Sequence, residues 1–156
     1  MVARVEEVAA KLHLDADESV ALRAAAWLHD IGYARGLIRT GCHHIDGATY
    51  LEAHHEHRLA CLVAHHGSGG EEALLRGAGL EISQFEREES LVSDLLTYGD
   101  LSTGPDGAPV SLNERISEVA KRYGPEDVVT KGLEMARSRM QACFERVEQA
   151  LAGSTR

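Results

Sequence analysis

Apolar residues recur every three or four positions through most of the chain, a spacing that predicts α-helices rather than strands. The pattern is clear near both ends, over residues 2–12 and 126–151. No strand-like alternation exceeds a few residues, so the sequence predicts an all-α, single-domain fold over residues 1–156. The last predicted helix carries one clean apolar stripe and is predicted to be structural. The stripe comprises Val129, Leu133, Ala136, Met140, Cys143, Val147 and Leu151.

Capping residues indicate where several of these helices begin. Asp15 with Glu18, and Ser111 with Glu114, have the spacing of a capping box. The first box predicts a helix over residues 17–31, and the second predicts a helix that stops at the following Gly-Pro pair. Four further helices are predicted over residues 46–54, 56–65, 71–76 and 86–100.

The predicted second helix ends on an adjacent histidine and aspartate in apolar surroundings. Trp27, Leu28 and Ile31 flank the pair, which predicts a buried helix. A carboxylate at Asp30 then costs on the order of several kcal/mol unless something pairs with it. A metal ion would compensate Asp30 together with His29, because carboxylate oxygen and imidazole nitrogen both bind divalent metals. On this segment alone, a polar pair that faces solvent explains the pattern equally well.

Three further segments place polar residues at the ends of apolar helices. Two are the histidine pairs 43–44 and 65–66, and the third is Asp100. Each alone is typical of a satisfied core histidine or an ordinary helix end. Together, two or more histidines and two aspartates form a nitrogen and oxygen ligand set suited to manganese, iron, cobalt, nickel or zinc. Exposed or helix-terminal positions are predicted for His44, His54, His55 and His57.

The amino-acid composition argues against some classes of binding partner. The chain has 16 basic and 25 acidic residues and a net charge of −9. This acidity argues against nucleic acid or an anionic membrane as the main partner. Three cysteines without CxxC spacing favour a reducing compartment. No apolar run approaches the roughly 18 residues of a membrane span, and the N-terminus lacks signal-peptide features, so a cytoplasmic protein is expected.

The ordered set of motifs resembles the HD-domain superfamily of metal-dependent phosphohydrolases. The matching pieces are Leu28-His29-Asp30-Ile31-Gly32, then His43 in Thr-Gly-x-His-x-Ile-Asp-Gly-Ala, then His65-His66-Gly67, then Asp100 in Tyr-Gly-Asp-Leu-Ser-Thr-Gly. The resemblance implies an all-α bundle with a divalent metal, magnesium included among the candidates. It implies that His29, Asp30 and Asp100 bind the first metal. His43 and His66 match positions that bind a second metal or the phosphate in some members.

The resemblance also implies a substrate and roles for individual residues. The substrate would be a nucleotide or another small phosphate ester, and the spacing is also similar to that of the symmetrical dinucleoside tetraphosphatases. Asp30 would orient a water, and His66 would contact the phosphate or the leaving group. Substrate contacts are expected from His65, Arg35 and Arg39, although solvated loop arginines explain the last two as well. Surface positions are predicted for Arg115, Lys121 and Arg122.

One departure from the family pattern keeps other functions open. The family has a further metal ligand, a histidine on the first helix, and the corresponding position falls at residues 1–4 or just before them. No histidine stands at residues 1–4, and His13 lies too far along the chain. Either the sequence begins downstream of that ligand or the protein lacks it. The alternatives to hydrolysis are a non-catalytic metal- or nucleotide-binding regulatory module and, last, an HD-family oxygenase with a di-iron site.

Overall fold

The computed structural model describes residues 1–154 as a bundle of α-helices, which confirms the predicted fold class. Thr155 and Arg156, which the predicted domain includes, lie outside the described residues. In residues 1–154 the extended pairing is limited to one isolated β-bridge, between Thr103 and Pro109. The helices are α1 (Val2–Leu12), α2 (Ala16–Leu28), α3 (His43–Ala53), α4 (His57–His65), α5 (Gly69–Leu75), α6 (Gly79–Ile82), α7 (Leu91–Leu101), α8 (Leu112–Tyr123) and α9 (Val128–Ser154).

The second helix ends earlier than predicted. α2 stops at Leu28, and a 3₁₀ turn, Ile31–Tyr33, follows it. The backbone N–H of Tyr33 donates to the carbonyl of Asp30, which closes this tighter turn. The 3₁₀ turn packs directly on α3. The His-Asp pair therefore lies between two helical segments rather than inside one.

Trp27 lies on the outside of the bundle, so the prediction that it is buried was wrong. Its side chain is 70% exposed, whereas Leu22, Ala25 and Ala26 of the same helix are buried. One stripe of α2 already faces the core, and Trp27 falls on the opposite side. Residues 24–28 are all apolar, but the helix buries only some of their side chains.

The sequence predicts the start of one helix correctly and places the starts of two others several residues away. Ser111 and Glu114 form the predicted reciprocal capping box at the start of α8. α7 begins at Leu91 rather than near residue 86, because the Ser90 hydroxyl accepts a hydrogen bond from the N–H of Ser93 and caps the helix there. α3 begins earlier than predicted, at His43, and Cys42 is its N-cap.

The buried apolar side chains form two clusters that meet at α4. One cluster lies among α1, α2, α7, α8 and α9 and includes Leu62 of α4. The other lies among α3, α4, α5 and α6 and includes Val63, the next residue of α4. α4 therefore contributes one face to each cluster, and its end at His65 lies where the two halves of the bundle join.

α9 packs along one side of the bundle. It contacts α1, α5, α7 and α8, and its predicted apolar stripe faces them. Leu133, Met140 and Val147 are buried on this stripe. None of the helices in residues 1–154 combines the length and the apolar content that a membrane span requires.

Candidate metal centre

Five of the residues singled out from the sequence come together at the helix ends. His29 Nε2 lies 3.2 Å from Asp30 Oδ2 and 3.9 Å from Asp100 Oδ1. His43 Nε2 lies 3.5 Å from Asp30 Oδ1. The ring of His66 meets that of His29 edge to face at a centroid distance of 5.2 Å. We call these five residues the histidine–aspartate centre.

Helix ends orient two of the histidines. His29 Nδ1 lies 2.9 Å from the carbonyl oxygen of Ala26, and His66 Nδ1 lies 2.7 Å from that of Val63. Carbonyl oxygens in the last turn of a helix lack intrahelical partners, so they are free to accept these bonds. A carbonyl only accepts, so each Nδ1 carries the proton and donates. Each Nε2 is then left for a ligand, as in metal-binding histidines.

The contacts of His29 favour a proton or a metal ion on its Nε2. Its Nε2 faces oxygens of Asp30 and Asp100, and ionised carboxylates only accept hydrogen bonds. Burial lowers the pKa of His29, but the hydrogen bond with Asp30 and the charge of Asp100 outweigh burial and raise it. A proton or a metal ion on Nε2 would relieve the repulsion between these acceptors.

The remaining electrostatics prepare the centre for metal binding. Burial acts to raise the pKa of Asp30, but the neighbouring His29 lowers it to about 2. Burial, together with the charge of His66, lowers the pKa of His43 to about 3. Burial also lowers the pKa of His66. At neutral pH, Asp30 is therefore ionised and both of these histidines are neutral, which are the states that bind metals.

The donor geometry fits a divalent metal. Ligand atoms about 2.0–2.2 Å from one metal lie roughly 3–3.6 Å from each other. The distances of 3.2 Å from His29 to Asp30 and 3.5 Å from His43 to Asp30 fall in this range, whereas the 3.9 Å from His29 to Asp100 exceeds it. One nitrogen from each of His43, His44 and His66 also lies within 4.8 Å of the others. The residues present therefore fit the kind of ion that the sequence predicts.

A cavity of about 180 Å³ opens over the centre, and two arginines line it. Arg115 and Arg122 were predicted as surface charges, but both border this cavity together with Val119. Their spacing along α8 places all three on one helix face. Glu118 Oε2 accepts hydrogen bonds from Arg115 at 2.6 Å and from Arg122 at 2.8 Å. The Nε of Arg115 is buried without a hydrogen-bond partner.

The other predicted substrate-binding residues lie away from this cavity. Arg35 and Arg39 are exposed in the loop after the 3₁₀ turn. The carboxylate of Asp46 accepts backbone N–H bonds from Arg39 and Thr40, which fixes the end of that loop. His65 faces a separate cavity, and its Nε2 lies 2.7 Å from the carbonyl oxygen of Phe85. The structure thus does not bring these three side chains to the centre.

α1 brings an arginine and a valine to the neighbourhood of Asp100. Arg4 Nη2 donates to the hydroxyl of Tyr98 at 3.2 Å. A Cβ on Gly99 would collide with the side chain of Val5, so α1 and α7 are in close contact here. His13 follows α1 and is exposed. Within the described residues, α1 therefore offers no histidine to the centre.

His44 was predicted to be solvated or helix-terminal. It does lie in the first turn of α3, but it is buried there, so the solvated alternative was wrong. It is 3% exposed, and its ring packs on those of His43 at 3.7 Å and His66 at 4.5 Å. The error follows from starting α3 at residue 46, which leaves His44 in a loop. The sequence did carry a signal, since His44, Ala48 and Leu51 share one helical face and the last two are apolar.

A comparison with protein families finds a match that covers most of the chain. The family model described as the HD domain matches residues 2–126, a span that contains all five residues of the histidine–aspartate centre. No curated protein and no solved structure shows a significant match.

Proposed function

We infer that this protein, which belongs to the HD-domain family, is a metal-dependent phosphohydrolase that acts on a nucleotide or another small phosphate ester. The observation that carries this proposal is the cavity above the histidine–aspartate centre. The candidate metal ligands Asp30, His43, His66 and Asp100 line this cavity together with Arg115 and Arg122. A phosphate ester needs both features, because its reacting phosphorus must meet an activated water while its oxygens bear negative charge.

His29, Asp30 and Asp100 would hold one metal, with His43 and His66 beside it. A divalent metal bound there would polarise a phosphoryl oxygen and lower the pKa of water toward neutrality. Asp30 stays ionised, so its carboxylate can accept a hydrogen bond from the attacking water. His66 Nε2 remains free because its Nδ1 donates to Val63, so it can instead contact a phosphate oxygen once it carries a proton.

The two arginines would orient the phosphate. Glu118 engages one amino group of each arginine, which holds both guanidinium groups near the cavity. The remaining N–H groups of the two guanidinium groups can donate to phosphate oxygens. Charge-assisted bonds of this kind would compensate negative charge that develops during hydrolysis.

The aromatic rim of the cavity, rather than its volume, supports a nucleotide in particular. A space of about 180 Å³ suits a phosphate group better than a whole nucleotide. Tyr33 and Tyr123 border the cavity and are 56% and 48% exposed. Their rings offer apolar faces on which a base outside the cavity could stack.

The test is phosphate release from a panel of nucleotides and simple phosphate esters, with each candidate metal added in turn. We expect Asp100→Asn to lower kcat/KM by about 100-fold or more, since even the partners that orient a ligand contribute roughly 10–100-fold. Arg115→Ala should raise KM while the metal content stays constant, because it removes a phosphate contact and no ligand.

Matched variants lie on the same two helices. Asp94→Asn removes a carboxylate of α7 that pairs with Arg146, away from the centre. Lys121→Ala removes an exposed charge of α8. Both should behave as wild type in phosphate release. Hydrolysis that is unaffected by Asp100→Asn would refute the proposed site.

A regulatory module without turnover is the second candidate. The observation that favours it is α1 as described, where Arg4 and Val5 approach α7 and the helix contributes no histidine to the centre. One fewer ligand weakens metal binding and leaves a position to solvent. Calorimetry that detects metal and nucleotide binding, with no phosphate release from any substrate of the panel, would establish this alternative.

A further inference from the structure

A second group of ligand-type side chains lies behind the histidine–aspartate centre. Cys42, His44 and Glu72 each direct one ligand atom to the same point, and these atoms lie within 4.8 Å of one another. All three residues are buried. Cys42 precedes α3, His44 lies in its first turn, and Glu72 comes from α5. Separate segments of the chain thus converge at this point.

His44 Nδ1 makes a long hydrogen-bond contact with the Cys42 sulfur, but it lies too far from Glu72 for an ordinary N–H···O hydrogen bond. His44 Nδ1 lies 3.8 Å from Cys42 Sγ and 3.8 Å from Glu72 Oε2. An N–H···O hydrogen bond has a donor–acceptor distance of about 2.7–3.2 Å. Ligands that bind one tetrahedral zinc, with bonds of about 2.0 Å to nitrogen or oxygen and 2.3 Å to sulfur, lie roughly 3.3–3.6 Å apart. Small movements of these side chains would close such a site around an ion.

Neighbouring residues hold the ligand atoms in place. Arg76 Nε donates to Glu72 Oε1 at 2.8 Å, which leaves Oε2 directed to His44. A Cβ on Gly69 would lie 2.7 Å from Cδ2 of His44, so glycine at this position leaves room for the imidazole ring. Cys42 is the N-cap of α3, where the helix dipole favours a negative sulfur, but burial and the charge of Glu72 raise the pKa of its thiol.

One oxygen of the buried Glu72 carboxylate is left for a cation. Glu72 is 1% exposed, and Arg76 is the basic partner of its carboxylate. A divalent ion would add positive charge beside this carboxylate, and its binding would displace the proton of the Cys42 thiol into solvent. His44 and Glu72 also border the cavity, so a fourth ligand position would face water there.

We propose that Cys42, His44 and Glu72 form a second metal site for a divalent ion that binds thiolate, such as zinc. This site differs from the histidine–aspartate centre, whose side chains offer only nitrogen and oxygen. It does not depend on the proposed hydrolysis, because none of its three residues is assigned a part in that reaction. Its location behind His43 and His66 means that the ion would fix the start of α3 and thereby brace the centre.

Cobalt provides a specific probe, because a thiolate bound to Co²⁺ gives a charge-transfer absorption in the near ultraviolet that nitrogen and oxygen ligands do not. The full chain, freed of metal and titrated with Co²⁺, should develop this band. Cys42→Ser should abolish the band, and Cys61→Ser and Cys143→Ser should retain it. Glu72→Gln should raise the apparent Kd for the cobalt that gives the band by at least about tenfold.

The same titration separates this proposal from the proposed function. Asp100→Asn removes a ligand of the histidine–aspartate centre and should leave the thiolate band intact, even if no phosphate is released. Circular dichroism of each variant checks that the helices persist. Absence of the band from the wild-type protein would overturn the proposal without reference to any variant. So would a band that survives Cys42→Ser or disappears in Cys61→Ser.

Discussion

At the scale of single residues, Gly32 determines how closely the His-Asp pair approaches α3. It is buried in the 3₁₀ turn immediately after Asp30. A Cβ at this position would collide with the carbonyl oxygen of His43 and would lie 2.7 Å from the nitrogen of Gly47. Backbone atoms of a helix cannot move aside as a flexible side chain can. Glycine at this position therefore allows His43 to reach Asp30.

Gly32→Ala should destabilise the protein by about 1–3 kcal/mol or more, the usual cost of overpacking a tight core. It should also weaken metal binding, because the turn that carries Asp30 must move away from α3. Urea denaturation of the metal-free protein measures the first effect, and calorimetry with Mn²⁺ measures the second. Gly36→Ala is the matched control, since a Cβ there meets nothing within 4 Å. Equal midpoints for both variants would contradict this account.

At the scale of elements, helices with strong local signals were predictable, whereas those set by tertiary contacts were not. The stripe of α9 and the capping box of α8 are visible in the sequence because both are local patterns. α3 starts at Cys42, whose side chain makes no capping hydrogen bond. Its start instead depends on packing against the 3₁₀ turn and on Asp46, which binds the preceding loop. No pattern within α3 could reveal those contacts.

Leu133 tests whether α9 is packed as its stripe indicates. Leu133→Ala should lower the free energy of unfolding by about 2–5 kcal/mol, because its side chain is 5% exposed and the change leaves a cavity. Met135→Ala, on the same helix but 56% exposed, should have a much smaller effect. Thermal unfolding followed by circular dichroism compares the two. A melting temperature that Leu133→Ala leaves unchanged would show that α9 is not packed on the core.

At the scale of the whole molecule, one arginine links the last helix to the turn that follows His66. Arg139 of α9 donates to the carbonyl oxygen of Gly67 at 2.8 Å and to Glu71 Oε2 at 2.8 Å. Glu71 belongs to α5, so the contact joins α9 to α5. This contact restrains the segment that positions His66.

This link predicts a dependence of stability on pH. Burial acts to raise the pKa of Glu71, but its hydrogen bonds with Arg139 outweigh burial and lower it below 4.5. A carboxylate whose pKa is lowered by folding stabilises the protein above its unfolded pKa and loses this effect as pH falls through the folded pKa. Between about pH 5 and pH 3, Glu71→Gln should therefore lose less stability than wild type. Urea midpoints across this range give the comparison, and the exposed Glu148→Gln should follow the wild-type curve.

The predictable part of the candidate site was the convergence of five polar residues, whose role as metal ligands stays a prediction. His29, Asp30, His43, His66 and Asp100 were identifiable because costly polar residues at apolar helix ends stand out in a sequence. The other residues that line the cavity have no comparable pattern in the sequence. Whether a residue such as Arg115 or Arg122 faces solvent or a cavity depends on where α8 lies against the rest of the bundle, and amphipathic periodicity does not encode that position.

The family match ends at residue 126, before α9 begins at Val128. Yet α9 covers the apolar faces of four other helices, and Val129 and Leu133 form part of the cavity wall. The segment that the family model matches is therefore shorter than the packed bundle. A fragment cut at the family boundary would keep every residue of the histidine–aspartate centre and lose the surface that holds them together. A domain boundary placed at the end of the family match would therefore cut through the packed interior of the molecule.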